Sequence, residues 1–287
     1  MSVILEVKGL AKQYPKSDFR LNNVSFSIPS GSIMGFVGEN GAGKTTTIGC
    51  ILNTLIKDGG SVKIFGKEMT DTSTDIRNDI GVVYDGNAFP EHLTAEKISS
   101  AMRYIYTNWD NQLFQEYLRK FKLPEMKKIK TFSRGMTMKL AVAIALAHHP
   151  KLLVLDEATS GLDPIVRDEI LDVFLGFVQD ENHSILLSSH ITSDLEKVAD
   201  YITFIHDGSI IFSETKDVLK YNYAVMRCKA VQFAQIDKQD ILAYRKLDYQ
   251  IDLLIADKKA AEKKYRDVII DSVTIEEIIL LLVKGEK

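Results

Sequence analysis

The chain has 287 residues, 45% of them hydrophobic and 26% charged, the balance of an ordinary soluble globular protein with room for one large and one small unit. Its 36 Lys and Arg against 39 Asp and Glu give a formal net charge of -3, which argues against a global basic field for nucleic acid. Two cysteines, Cys50 and Cys228, suggest neither a disulfide scaffold nor a zinc site and fit a reducing cytosol.

The first residues lack a charged and apolar leader pattern. The longest apolar runs, 140–147 and 278–283, are too short to cross a bilayer. Val3, Leu5 and Val7 alternate with polar residues and predict a strand. Val24, Phe26 and Ile28 predict a second, stopped by Pro29-Ser30-Gly31. Together they suggest a small antiparallel sheet. The apolar run 33–37 predicts a buried strand, and 46–55 a helix.

Between that strand and helix stands Gly38-Glu39-Asn40-Gly41-Ala42-Gly43-Lys44-Thr45, the pattern G-x-x-x-x-G-K-[ST]. Glycines let backbone N–H groups turn inward around anionic oxygens, and the helix N-terminus adds its positive dipole end. Lys44 can reach terminal phosphates, and the Thr45 hydroxyl can ligate Mg²⁺.

Short strands follow at 62–65 and 81–84. Residues 94–128 then read as helices rich in aromatics and charge. Phe132-Ser133-Arg134-Gly135-Met136 offers Ser133 as the N-cap of a helix over 134–148 that is apolar on nearly all sides. The segment 152–155 reads as a parallel-sheet strand ending in Asp156 and Glu157. Asp156 there would hold Mg²⁺ and Glu157 would polarise an attacking water.

Ser160-Gly161-Leu162-Asp163-Pro164 comes next. A strand over 184–189 ends in Ser188-Ser189-His190, where His190 is placed to sense a γ-phosphate. Residues 201–212 predict a hairpin turning at Asp207-Gly208. Strands and helices alternate throughout this part, which predicts an α/β domain. Beyond Glu214 the chain becomes lysine-rich, with strand-like runs at 251–255 and 268–270. A capping box, Thr274-Ile275-Glu276-Glu277, opens a last helix near the C-terminus.

The order of these motifs resembles the nucleotide-binding subunit of ABC transporters over about residues 3–215. The resemblance implies an α/β P-loop NTPase core with an N-terminal antiparallel β subdomain and a helical insert at about 86–148. It divides the chain into a nucleotide-binding domain, 1–215, and a small accessory domain, 216–287. It implies an Mg²⁺-dependent ATPase at the cytoplasmic face of the membrane, with a separate transmembrane permease and a second ATP-binding subunit as partners and no nucleic acid.

In such a head-to-tail dimer, Ser133, Arg134 and Gly135 of one subunit would cap ATP held by Gly38 to Thr46 of the other. Tyr14 matches the aromatic that stacks on adenine, Asp163 the loop that contacts the facing subunit, and Glu157 and His190 the catalytic base and switch histidine. Thr45, Asp85 and Asp156 match the positions around the metal. The chain departs from the family pattern at three places. Arg134 replaces a glycine of the signature, Asp85 stands where a glutamine is usual, and Ala158 replaces a proline. A carboxylate at 85 alters the coupling of site and membrane subunit.

The stretch Tyr106-Thr107-Asn108-Trp109-Asp110, together with the signature, resembles the branch that exports antimicrobial or amphipathic peptides, of bacitracin, lantibiotic and phenol-soluble modulin type. Trp109 fits either a core aromatic or a docking residue. An importer or lipid-moving subunit would carry the same ATPase chemistry. A soluble ATPase acting on ribosomes or DNA fits less well, because the chain has one cassette and no sustained heptads. Glu157 and His190 argue against an inert regulatory subunit.

Overall fold

The computed structural model describes residues 2–86 and 89–286. The chain opens with β1 (Val3–Gln13), β2 (Arg20–Pro29) and β3 (Ile33–Val37), then α1 (Lys44–Ile51), β4 (Gly59–Ile64) and β5 (Lys67–Glu68). β1, β2, β4 and β5 form an antiparallel sheet in the order β2-β1-β4-β5, as the alternation at the N-terminus anticipates. α1 is shorter than the run 46–55 predicts. It stops at Ile51 because Asn53 takes a left-handed φ of 55° and the Gly49 carbonyl accepts both Thr54 and Leu55 N–H groups.

The central elements are α2 (Thr74–Asn78), β6 (Ile80–Val83), α3 (Ala95–Ile105), α4 (Asn111–Lys120), α5 (Arg134–Leu146), β7 (Leu152–Asp156), α6 (Pro164–Phe177), β8 (Ser184–Ser189) and α7 (Thr192–Val198). β9 (Tyr201–His206) and β10 (Ser209–Thr215) complete a six-stranded sheet ordered β10-β9-β3-β8-β7-β6, parallel except at the β10 edge. The inner strands β3, β7 and β8 are buried along their whole length, which suits the near-continuous apolar runs of β3 and β7. On β7, Leu152 and Val154 face the antiparallel sheet, while Leu153 and Leu155 face the helices. The fold is therefore α/β, as the motif order predicts.

The helical insert packs through Ile98, Phe114, Leu118 and Phe121. Trp109 belongs to this packing. Its ring lies 5.4 Å from Phe114 and its indole N–H donates to Ser99 Oγ at 3.2 Å. The insert is stitched to the sheet by His148, which is fully buried. His148 stacks on Tyr106 at 3.8 Å, and its Nε2 lies 3.0 Å from the Ile80 carbonyl oxygen.

The remaining elements are α8 (Lys216–Asn222), β11 (Ala224–Cys228), α9 (Ala230–Phe233), β12 (Ala243–Lys246), β13 (Ile251–Ile255), α10 (Lys258–Lys264), β14 (Ile269–Ser272) and α11 (Ile275–Lys284). An antiparallel sheet, β12-β13-β11-β14, has its own small core around Met226, Leu253 and Ile255. The capping box at Thr274 and Glu277 is formed. α11 sets Ile275, Ile278 and Leu281 into the main core beside Leu195 and Val198 of α7, and Glu196 of α7 accepts the Ile275 N–H at 2.8 Å.

Candidate nucleotide site

β3 is central in the parallel sheet, flanked by β9 and β8, with β7 beyond β8. In register, Val37 pairs with Ser189 and Asp156 with Ser188. Gly38, Asp156, Glu157 and His190 therefore leave the sheet at one level, at the carboxyl ends of adjacent strands. Open α/β sheets bind ligands in that crevice.

The loop from Gly38 to Gly43 is backed by the β9–β10 hairpin. A side chain at Gly38 would place its Cβ 2.6 Å from the Ile205 carbonyl oxygen. At the hairpin turn, Asp207 and Gly208 both take positive φ, as a type I′ turn requires. Gly208 N–H donates to the Ala42 carbonyl at 3.0 Å, and the Gly208 carbonyl accepts from Asn22 at 2.8 Å. A Cβ at Gly208 would lie 1.8 Å from the Arg20 carbonyl oxygen, so no other residue fits.

Lys44 is buried, 6% exposed. Its ammonium donates to the carbonyls of Gly38 at 2.7 Å and Glu39 at 3.2 Å, and pairs with Glu157 Oε1 at 3.2 Å. Glu157 Oε2 lies 2.6 Å from His190 Nδ1. Glu157 holds a left-handed φ of 54°, a conformation that costs a non-glycine residue of order 1–3 kcal/mol and clusters at functional sites. Thr45 Oγ1 donates to Asp156 Oδ2 at 2.8 Å, while the buried Asp156 Oδ1 has no hydrogen-bond partner among the described residues.

A hydroxyl beside a half-satisfied buried carboxylate, next to a phosphate-type loop, suits Mg²⁺. That ion takes one or two protein oxygens and completes its shell with water and phosphate. Among the described residues no cluster of three or more His, Cys, Asp or Glu could hold a metal without such help.

Tyr14, Asn40, Gly41, Gly43, Lys44, Thr45, Thr46 and Glu157 line one open cavity of about 510 Å³. Tyr14 Oη lies 3.4 Å from Thr46 Oγ1. The predicted residues of the loop, the strand end, Tyr14 and His190 are thus brought together.

Ser133, Arg134, Gly135, Asp163 and Asp85 are elsewhere. Ser133 Oγ accepts the Met136 N–H at 3.2 Å and caps α5, and Asp163 caps α6 by accepting from Ile165 and Val166. Asp85 pairs with Arg134 at 2.7 Å. Sequence reading missed Asp194 and Arg167. Asp194 is buried on α7, four residues after His190, with Oδ1 3.8 Å from the Arg167 guanidinium, whose Nη2 donates to the Leu162 carbonyl at 3.4 Å.

Residues 21–160 match the family model described as ABC transporter. The chain is 35% identical over 222 residues to the bacitracin transport ATP-binding protein BcrA of Bacillus licheniformis, covering 77% of this chain and 72% of that protein. It is also 35% identical over 219 residues to the lantibiotic transport ATP-binding protein SrtF of Streptococcus pyogenes, covering 75% and 92%. A solved structure of an ATP-binding subunit of an ABC transporter superposes with a TM-score of 0.67 at 27% identity, over 76% of this chain and 92% of that one.

Proposed function

Because this chain belongs to the family of ABC transporter ATP-binding proteins, we propose that it pairs with a second ATP-binding subunit around ATP and drives export of amphipathic peptides through a separate membrane permease. One observation carries the reading. Lys44, Thr45, Asp156, Glu157 and His190 converge at the ends of adjacent parallel strands.

In this reading the loop N–H groups from Gly41 to Thr46 cradle the phosphates. Tyr14 stacks on the adenine, and Lys44 trades its carbonyl and Glu157 contacts for phosphate oxygens. Thr45 and Asp156 would hold Mg²⁺. Mg²⁺ neutralises charge on the phosphates when bound. Glu157 accepts the hydrogen bond of the attacking water, and His190 orients Glu157 and then touches the γ-phosphate. Water oxygen bonds to the γ-phosphorus as the bond to the bridging oxygen breaks, giving ADP and phosphate.

Ser133 and Gly135 close over ATP from the facing subunit, with Asp163 at the contact. Residues 1–215 carry this chemistry and 216–287 form an accessory domain. The permease would be a separate chain with this one at its cytoplasmic face; among the described residues no helix is long and apolar enough to cross a membrane. An apolar groove of about 400 Å³, lined by Met69, Ile80, Val82, Tyr84 and Ile105, separates core from insert. It would seat a permease segment. The bacitracin and lantibiotic names of the relatives support a peptide cargo.

Two measurements test this. The Glu157→Gln chain should form an ATP-dependent dimer by light scattering, and a monomer at saturating ATP would sink the pairing. A strain lacking the chain should become more sensitive to amphipathic antimicrobial peptides, and unchanged sensitivity would sink the cargo.

A further inference from the structure

We infer that Arg134 is a phosphate ligand held in reserve by Asp85, and that its guanidinium exchanges the Asp85 carboxylate for the terminal phosphate of ATP on the facing subunit. The inference rests on the proposed pairing of subunits.

The two strongest departures from the family pattern, 49 positions apart in sequence, meet in space. Arg134 Nη2 donates to Asp85 Oδ1 at 2.7 Å. This contact joins Asp85, two residues after β6, to the first residue of α5. Asp85 supplies the countercharge there because α5 has no acidic residue in its first turn.

The guanidinium also lies over Gly161. A Cβ at that position would sit 2.9 Å from Arg134 Cζ, so the missing side chain makes room for the arginine. Arg134 thus touches two loops at once, the one that carries Asp85 and the one that leads to Asp163.

The pair is built to be given up. The two side chains are 53% and 46% exposed, and an ion pair this wet contributes little to holding its partners. The Asp85 bond occupies Nη2 and leaves the rest of the planar fork for another anion. A phosphate carries more charge than a carboxylate and accepts the fork in bidentate fashion. Arg134 stands between Ser133 and Gly135, the two residues proposed to close over ATP, so it arrives at the phosphate with them. When it does, Asp85 loses its cation and is released from α5. That release is then tied to arrival of the second subunit.

The test uses the Glu157→Gln chain and follows dimer formation against ATP concentration by light scattering. Asp85→Asn should lower the half-point by about three- to tenfold, since two weak pairs per dimer no longer compete. Arg134→Gln should raise it by a similar factor, and Arg134→Lys, which keeps the charge without the fork, should fall between. The double variant should match Arg134→Gln alone, because Asp85 acts through Arg134. An Asp85→Asn shift of the same size without Arg134, or no shift with it, would overturn the exchange. If Glu157→Gln itself never dimerises, the pairing has failed and the exchange falls with it.

Discussion

Lys44 is 6% exposed and its ammonium meets three oxygens, whereas Arg134 is 53% exposed and holds one. The two cations belong to the two halves of the proposed site. Around Lys44 the ammonium, the Thr45 hydroxyl, Glu157 and His190 are engaged within their own subunit, while Asp156 Oδ1 and Ser188 Oγ have no hydrogen-bond partner among the described residues. Around Arg134 the signature residues stand in water, and Ser133 is engaged only with its own helix. Buried charges in a low dielectric act strongly and are already oriented. Exposed ones gain strength only when a second surface removes their water. In the proposed pairing, the first half would grip a nucleotide alone, and the second would act only on arrival at another subunit.

This contrast can be broken or sharpened by experiment. Glu157→Gln should lower steady-state ATP hydrolysis by about 10²- to 10⁴-fold in a phosphate-release assay, with nucleotide still bound. A rate near wild type would remove Glu157 from the chemistry. Lys44→Ala should weaken ATP binding by about a hundredfold in calorimetry, as a buried charge-assisted set is lost. An unchanged affinity would mean that the interlocked half is structural.

On the exposed half, Ser133→Ala should cost only about 1 kcal/mol in chemical denaturation, the worth of an N-cap. Its larger effect should appear as a raised ATP requirement for pairing. The smallest effect concerns the joint between core and insert. Burial holds the His148 imidazole below its ordinary value of 6.5, so the unfolded chain takes up a proton at higher pH than the native one. The stability that depends on neutral His148 is complete above about pH 6.5 and declines as the pH falls further. Stability by urea denaturation should therefore fall as the pH is lowered from 7.5 to 5.5. His148→Asn should flatten that slope, and an unaltered slope would assign the acid sensitivity elsewhere.

The same contrast governs what could be read from sequence. The interlocked half is local. Gly38 to Thr45 is one contiguous motif, and Asp156, Glu157 and His190 each end an apolar run whose strand identity is clear. The exposed half depends on distances across the fold. Arg134 and Asp85 were each visible as a departure, but nothing in a linear pattern says that they touch. The end of α1 was misplaced because Gly49 offers its carbonyl to two later N–H groups, a competition invisible to periodicity. Trp109 could be placed only once Ser99 and Phe114 were seen beside it. Asp194 and Arg167 leave no spacing signature, because they meet only through the packing of α7 against α6. In the lysine-rich stretch, Lys259, Lys263 and Lys264 are exposed, the last paired with Asp237 and Asp240.

Gly208 has a bearing on how this protein is made. Its N–H holds the Ala42 carbonyl, and Ile205 beside it closes the back of Gly38. A nascent chain that has reached residue 160 already carries the whole phosphate-loop sequence, together with Asp156 and Glu157. It lacks the hairpin that gives the loop its shape. On the ribosome, the grip on nucleotide would mature only after the turn at 207–208 has left the exit tunnel, some fifty residues after the last of those catalytic groups. ATP would then serve as a late check on folding, engaging only chains whose sheet has closed.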